Sequence, residues 1–190
     1  MNAHWKMRFD YAAQDPAVVA GSDSLCLYLA IYTDEASSRG LTLWFRDESE
    51  DGILDIYVRD PEVIFIGDPE LALIGSVPGF VFSPNINLAP IKHEVIIEGH
   101  NDLATPTFDL TIRSGVGVEL AHFPGLTYWL GFNNDPPQGE SAKSLLFVGD
   151  SSSTGRAKID NVEMGSFVPE PSCLVLLGIG GVTMWRRRPA

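Results

Sequence analysis

The sequence predicts an all-β fold: a sandwich of two antiparallel sheets, followed by a short apolar helix at the C-terminus. Three observations carry this. Short runs rich in Val, Ile, Leu, Phe, Tyr and Trp recur between clusters of Gly, Pro, Asn, Asp and Ser. Several of them alternate with period two, as half-buried strands do. No long segment before the tail shows the 3.6-residue period of a helix. An apolar content of 45% is enough for a core, and 20% charged residues is not the composition of a disordered chain.

About eleven strand-like runs follow one another. They are SLCLYLAIYT (24–33), GLTLWFRD (40–47), ILDIYVRD (53–60), EVIFIG (62–67), GFVFS (79–83) and HEVIIEG (93–99). PTFDLTIRS (106–114), VGVELAHF (116–123), TYWLGFN (127–133), SLLFVGD (144–150) and RAKIDNVEM (156–164) complete the series. In FDLTIR, Phe108, Leu110 and Ile112 point one way, and Asp109, Thr111 and Arg113 the other. In VGVELAH, Val116, Val118 and Leu120 are expected to share a face. Only PELALIGS, from Pro69 to Ser76, reads as a helical turn or two. FVGDSSSTG is a polar loop between the last two strands, and the two prolines of GSFVPEPS end regular structure there. The chain therefore divides into a body, 1–167, and a tail, 168–190.

Charge narrows the partners. Thirteen Lys and Arg stand against 25 Asp and Glu, a net charge of −12. Three of the cations, Arg186, Arg187 and Arg188, and one acid, Glu170, lie in the tail, so the body carries 10 against 24, or −14. A body so acidic lacks the cationic footprint that nucleic acid or anionic lipid requires. Of two cysteines only Cys26 is in the body, which excludes an internal disulfide there. No Cys/His spacing suggests a zinc site. Cys26 reads as a small buried hydrophobe.

The tail has three parts. Pro169, Glu170 and Pro171 come first. An apolar segment follows: Cys173, Leu174, Val175, Leu176, Leu177, Gly178, Ile179, Gly180, Gly181, Val182, Thr183, Met184 and Trp185. Arg186, Arg187 and Arg188 close it. As a helix, 13 residues reach about 20 Å, short of a hydrocarbon core of about 30 Å. Snorkelling arginines and local thinning reduce the mismatch. The arginines would stay cytoplasmic as a stop, leaving the body outside.

This order of parts resembles the PEP-CTERM sorting signal of exported proteins in Gram-negative and related bacteria. The resemblance implies an exosortase as partner, the bilayer as a transient one, cleavage near Pro169–Pro171, and delivery to the cell surface or exopolysaccharide matrix. The first residues, MNAHWKMRFDYAAQDPAVVAG, hold no apolar segment of roughly 7–15 residues behind a basic start. Export needs a leader, so an in-frame signal segment upstream of Met1 is expected.

KHEVIIEGHNDLATPTFDLTIRSGVGVELAHF (92–123) resembles the central hairpin of concanavalin-like, or laminin-G-like, jelly-roll domains. SLLFVGDSSSTGRAKIDNVEMGSF (144–167) resembles their closing part. The resemblance implies a jelly roll over the body. Laminarinase-type glucanases on that fold carry Glu-x-Asp-x-x-Glu on one strand. The nearest match is Lys158-Ile159-Asp160-Asn161-Val162-Glu163, which begins with Lys and lies on the last strand of the body. The expectation is a non-catalytic body, with Asp160 bonding locally at a turn or strand end. A divergent glycan-acting hydrolase and a permanently anchored surface protein are the alternatives.

Two loops merit notice. RDESEDG gathers Asp47, Glu48, Glu50 and Asp51, oxygen ligands suited to Ca²⁺ but without the alternating spacing of an EF-hand; a solvated hairpin tip is the simpler reading. Tyr128, Trp129, Asn133, Asn134 and Asp135 put aromatic faces beside amide and carboxylate groups, the chemistry of a sugar-binding loop. His4, His93, His100 and His122 are scattered, and no nucleophile elbow accompanies them.

Overall fold

The computed structural model describes residues 4–14, 25–32, 40–47, 51–59, 71–101, 103–128, 144–148 and 157–166. Ten strands are described: β1 (His4–Ala13), β2 (Leu25–Tyr32), β3 (Gly40–Arg46), β4 (Leu54–Arg59), β5 (Leu71–Val77), β6 (His93–His100), β7 (Thr107–Ser114), β8 (Glu119–Thr127), β9 (Ser144–Val148) and β10 (Ala157–Ser166). They form two five-stranded sheets, ordered β10-β1-β6-β7-β8 and β5-β4-β3-β2-β9. Every pairing is antiparallel. No helix occurs among the described residues.

One core lies between the sheets. Trp5, Met7, Phe9 and Tyr11 enter it from β1, Val95 and Ile97 from β6, and Phe108, Leu110 and Ile112 from β7. Leu27, Leu29, Leu41, Leu43, Phe45, Leu54, Ile56 and Val58 face them from the other sheet. Tyr11 and Phe45 meet across the gap with ring centroids 5.2 Å apart. Burying each such side chain stabilises the fold by about 1.5–3 kcal/mol.

β1 is absent from the eleven runs, yet it is an inner strand of its sheet. Trp5, Met7, Phe9 and Tyr11 face the core and alternate with Lys6, Arg8 and Asp10. Trp5 lies flat on its register partner Gly99, where a Cβ would overlap the indole ring. Only glycine allows that approach.

Several expectations change. Leu71–Val77 is strand β5, not a helical turn. Its residues pair with β4 from Leu54↔Val77 to Arg59↔Leu71, and the ladder overrides the helix propensity of Leu and Ala. GFVFS is not a strand; Ser83 makes a single bridge to Gln14. Val116 and Val118 belong to the tight β7–β8 connection rather than to a buried face. They are 89% and 59% exposed. Gly117, at φ 84°, donates to the Ser114 carbonyl and closes that turn. The runs 62–67 and 129–133, residues 149–155 of the expected loop and the tail 168–190 lie outside the described residues.

The two outer faces differ. β3 is the middle strand of the second sheet, and on its outer side Thr42 and Trp44 are buried as well. The outer face of the first sheet also buries Ile96 and Thr111 in its middle, but it is charged around them, with Lys6, Arg8, Asp10, Glu94 and Glu98, and it carries the clefts described next.

Candidate functional site

Strand alternation sends Lys6, Arg8 and Asp10 of β1 outward, beside Glu94 and Glu98 of β6. On the far side of β1 lies β10, whose alternation is interrupted. Arg8 pairs with Glu163 and Asp10 with Asp160, so Phe9 alone faces both Asn161 and Val162. This is a β-bulge on β10. Asn161 takes a left-handed backbone, φ 52°, tolerable for Asn because of its short polar side chain. The extra residue re-phases the strand. Asp160 and Glu163, three apart, thereby come to the same face, where both bond cations of the first sheet.

Ion pairs run across this face. Glu163 receives a two-point fork from Arg8, Nε to Oε2 at 2.8 Å and Nη2 to Oε1 at 3.1 Å. Glu94 lies between Arg8 at 3.6 Å and Arg113 at 3.7 Å. Lys92 bridges Asp10 at 3.2 Å and Asp160 at 2.9 Å. Lys6 meets Glu98 at 2.7 Å. Asn161 donates its side-chain amide to Asp10 Oδ2 at 2.7 Å and its backbone N–H to Asp160 Oδ1 at 2.9 Å. Asp160 does bond its neighbour's N–H, but at a bulge inside β10 rather than at a turn or strand end.

These contacts favour the ionised forms of Arg8, Lys92, Asp160 and Glu163. The hydrogen bond and charge of Arg8 keep Glu163 below the ordinary carboxylate range. Lys92, then the Asn161 N–H, does the same for Asp160. Arg8 and Lys92 are raised in turn, by Glu163 and by Asp160 with Asp10. Two clefts flank the Arg8–Glu163 fork. One, of about 260 Å³, is lined by Arg8, Phe9, Asp10, Glu94, Asn161 and Glu163. The other, of about 200 Å³, is lined by Lys6, Arg8, Glu163, Met164 and Gly165.

The remaining sequence candidates fall as follows. Tyr128 is a core residue, 1% exposed, stacked obliquely on Phe108 at 5.3 Å; it cannot offer a face to a sugar. Burial pushes its hydroxyl above the usual tyrosine range, and neighbouring Trp5 and Asn101 pull it partway back. Trp129, Asn133, Asn134 and Asp135 lie outside the described residues, as do Glu48, Glu50 and the side chain of Cys26. Asp47 is fully buried and accepts from the backbone N–H groups of Asp51 and Gly52, each at 3.1 Å, so its carboxylate fastens the β3–β4 turn. Among the described residues no group of three or more His, Cys, Asp or Glu is placed to hold a metal ion.

The histidines are less scattered than their sequence positions. His4 and His100 meet edge to face with centroids 5.1 Å apart, and His100 Nε2 lies 3.2 Å from Asp109 Oδ2. The other oxygen of Asp109 accepts from the Gly125 N–H at 2.8 Å, within the irregular β7–β8 pairing. His122 bonds Thr111 at 2.9 Å. His93 is buried and stacked on Phe80, 4.0 Å between centroids.

Residues 167–188 match the PEP-CTERM protein-sorting motif. The match starts at the residue after Ser166, the last of β10. The motif implies an exported protein, with an exosortase as its processing partner and the cell surface as its destination. A search of curated proteins finds none that matches the chain.

Proposed function

We propose that this is a surface or exopolysaccharide-matrix protein of a Gram-negative-type bacterium whose β-sandwich, a concanavalin-like jelly roll, binds carbohydrate without catalysis. The sorting motif at 167–188, joined directly to the last strand of the body, is the observation that carries the location. The apolar segment Cys173–Trp185 holds the chain in the bilayer until cleavage near Pro169–Pro171. At about 20 Å as a helix it suits a transient tether better than a permanent anchor.

Two features support a non-catalytic body. The carboxylates nearest a glucanase pattern, Asp160 and Glu163, are held ionised by Lys92 and Arg8, so neither is poised to give a proton to a leaving group. The outward face instead offers fixed donors and acceptors side by side, which suits sugar hydroxyls.

Mass spectrometry of the mature C-terminus tests the sorting half. In cells with an active exosortase the product should end close to Pro169–Pro171. An intact Arg188 on most molecules would refute processing and favour the permanent anchor.

A further inference from the structure

We propose that the paired clefts astride the Arg8–Glu163 fork are the carbohydrate site, and that they take a neutral glycan chain presenting vicinal hydroxyls. This rests on the carbohydrate reading above but assigns the site to the β1–β10 face rather than to Trp129, Asn133, Asn134 and Asp135.

Charge complementarity selects the ligand. The body as a whole carries −14. On this face four cations, Lys6, Arg8, Lys92 and Arg113, each pair with one or two of five carboxylates, Asp10, Glu94, Glu98, Asp160 and Glu163. The face is therefore close to neutral on an otherwise anionic molecule. A polyanionic glycan would meet the repulsion of the surrounding body and of Glu94 and Glu163 within the cleft. A neutral one would meet none.

Geometry selects the contacts. A sugar hydroxyl is at once donor and acceptor. Within the larger cleft Arg8 and the Asn161 amide donate, while Asp10, Glu94 and Glu163 accept. Ion pairing fixes these groups before any ligand arrives, so little ordering remains to be done on binding. The bulge at Asn161 brings Asp160 and Glu163 to one face and leaves Phe9 facing two residues of β10, with the cleft beside it. Bulges re-aim side chains next to functional sites, and a non-glycine residue at positive φ is the kind of local strain that such sites retain. Each cleft is smaller than the roughly 300–1,000 Å³ that encloses a drug-sized ligand. Two small clefts separated by one ion pair suit successive rings of a chain laid across the strands.

The test uses the full chain in mild detergent against an array of neutral cello-, laminari-, manno- and galacto-oligosaccharides, with oligogalacturonate and alginate oligomers as the anionic arm. Binding to a neutral series, and not to the uronates, is expected. Glu163→Gln and Arg8→Gln should each weaken it by about tenfold or more, the value of a charge-assisted hydrogen bond. Arg8→Lys should weaken it too, because an ammonium keeps the charge but loses the fork. Both residues lie on an exposed face, so the urea midpoints of the three variants should match the parent. Retained binding in these variants, with loss in Trp129→Ala, would overturn the site while leaving sugar binding intact. Preference for the uronates would overturn the choice of ligand. No binding to any oligosaccharide by the folded chain would sink the carbohydrate reading itself.

Discussion

Asn161, at φ 52°, donates its side-chain amide to Asp10 Oδ2 at 2.7 Å, tying the bulge of the last strand to the first. One residue thus sets both the phase of β10 and the position of an acceptor in the larger cleft. Asn161→Val places a β-branched side chain in the left-handed region and should destabilise the body by about 1–2 kcal/mol in urea unfolding. Asn161→Gly keeps the backbone permissible and loses only the tie, so its midpoint should fall less. Equal losses would mean that the amide bond, not the dihedral, holds the bulge.

Gly99→Ala should cost about 1–3 kcal/mol, the usual range for overpacking a filled core, because its methyl group overlaps the Trp5 indole. Trp5→Leu in the Gly99→Ala background should then cost less than Trp5→Leu alone. Strict additivity of the two losses in a double-mutant cycle would contradict the contact.

His93 gives the body an acid-side weakness. Desolvation lowers its pKa in the folded state, only partly offset by the Ile91 backbone, and its Nε2 accepts from the Val81 N–H at 3.3 Å. The unfolded chain takes up the proton near pH 6.5. The unfolded state then binds more protons than the folded one, so stability rises with pH in that window and falls as pH drops below about 6.5. Denaturant midpoints at pH 7.5 and 5.5 should differ, and His93→Gln should remove much of the difference. Glu163 and Asp160, also lowered, act in a separate window below their ordinary values of 4.5 and 3.8. A midpoint that is flat from pH 7.5 to 5.5 would count against the buried neutral histidine.

Tyr128→Ala should cost about 3–5 kcal/mol, as truncation of a buried aromatic does. Its Tm should fall several degrees, whereas substitution of an exposed binding aromatic would leave Tm unchanged. Tyr128→Phe should keep the core packed. Wild-type thermal stability in Tyr128→Ala would place the ring outside the core.

The parts of this fold that could be read from sequence are those where alternation survives intact. Phe108, Leu110 and Ile112 face the core as the period of two demands. Trp5, Met7, Phe9 and Tyr11 alternate equally well with Lys6, Arg8 and Asp10, although β1 is not among the eleven runs. Leu71–Val77 reads as helical because Leu and Ala favour a helix in isolation, while pairing with β4 decides the matter in three dimensions. Val116 and Val118 alternate correctly with Leu120, yet the glycines between and before them make a turn. The candidate face was the least legible. Nothing in DNVE announces that Asn161 adds a residue to the ladder, and without that shift Asp160 and Glu163 belong to opposite faces. A cue exists in hindsight: Asn is among the few residues that enter the left-handed region readily.

Ser166 is paired with Trp5, and Pro169 stands three residues beyond it. Whatever path those residues take, three can reach no further than about 11 Å. An enzyme that works at Pro169–Pro171 therefore has the hydrogen-bonded end of β10 almost at its threshold. With the cleavage proposed above, the sandwich would act as a steric gauge, its pole around Trp5 and Ser166 limiting how near the cutting machinery comes. A body that had not yet zipped β10 to β1 would present a longer, looser substrate, so the proposed maturation would be linked to folding by the shortness of the leash.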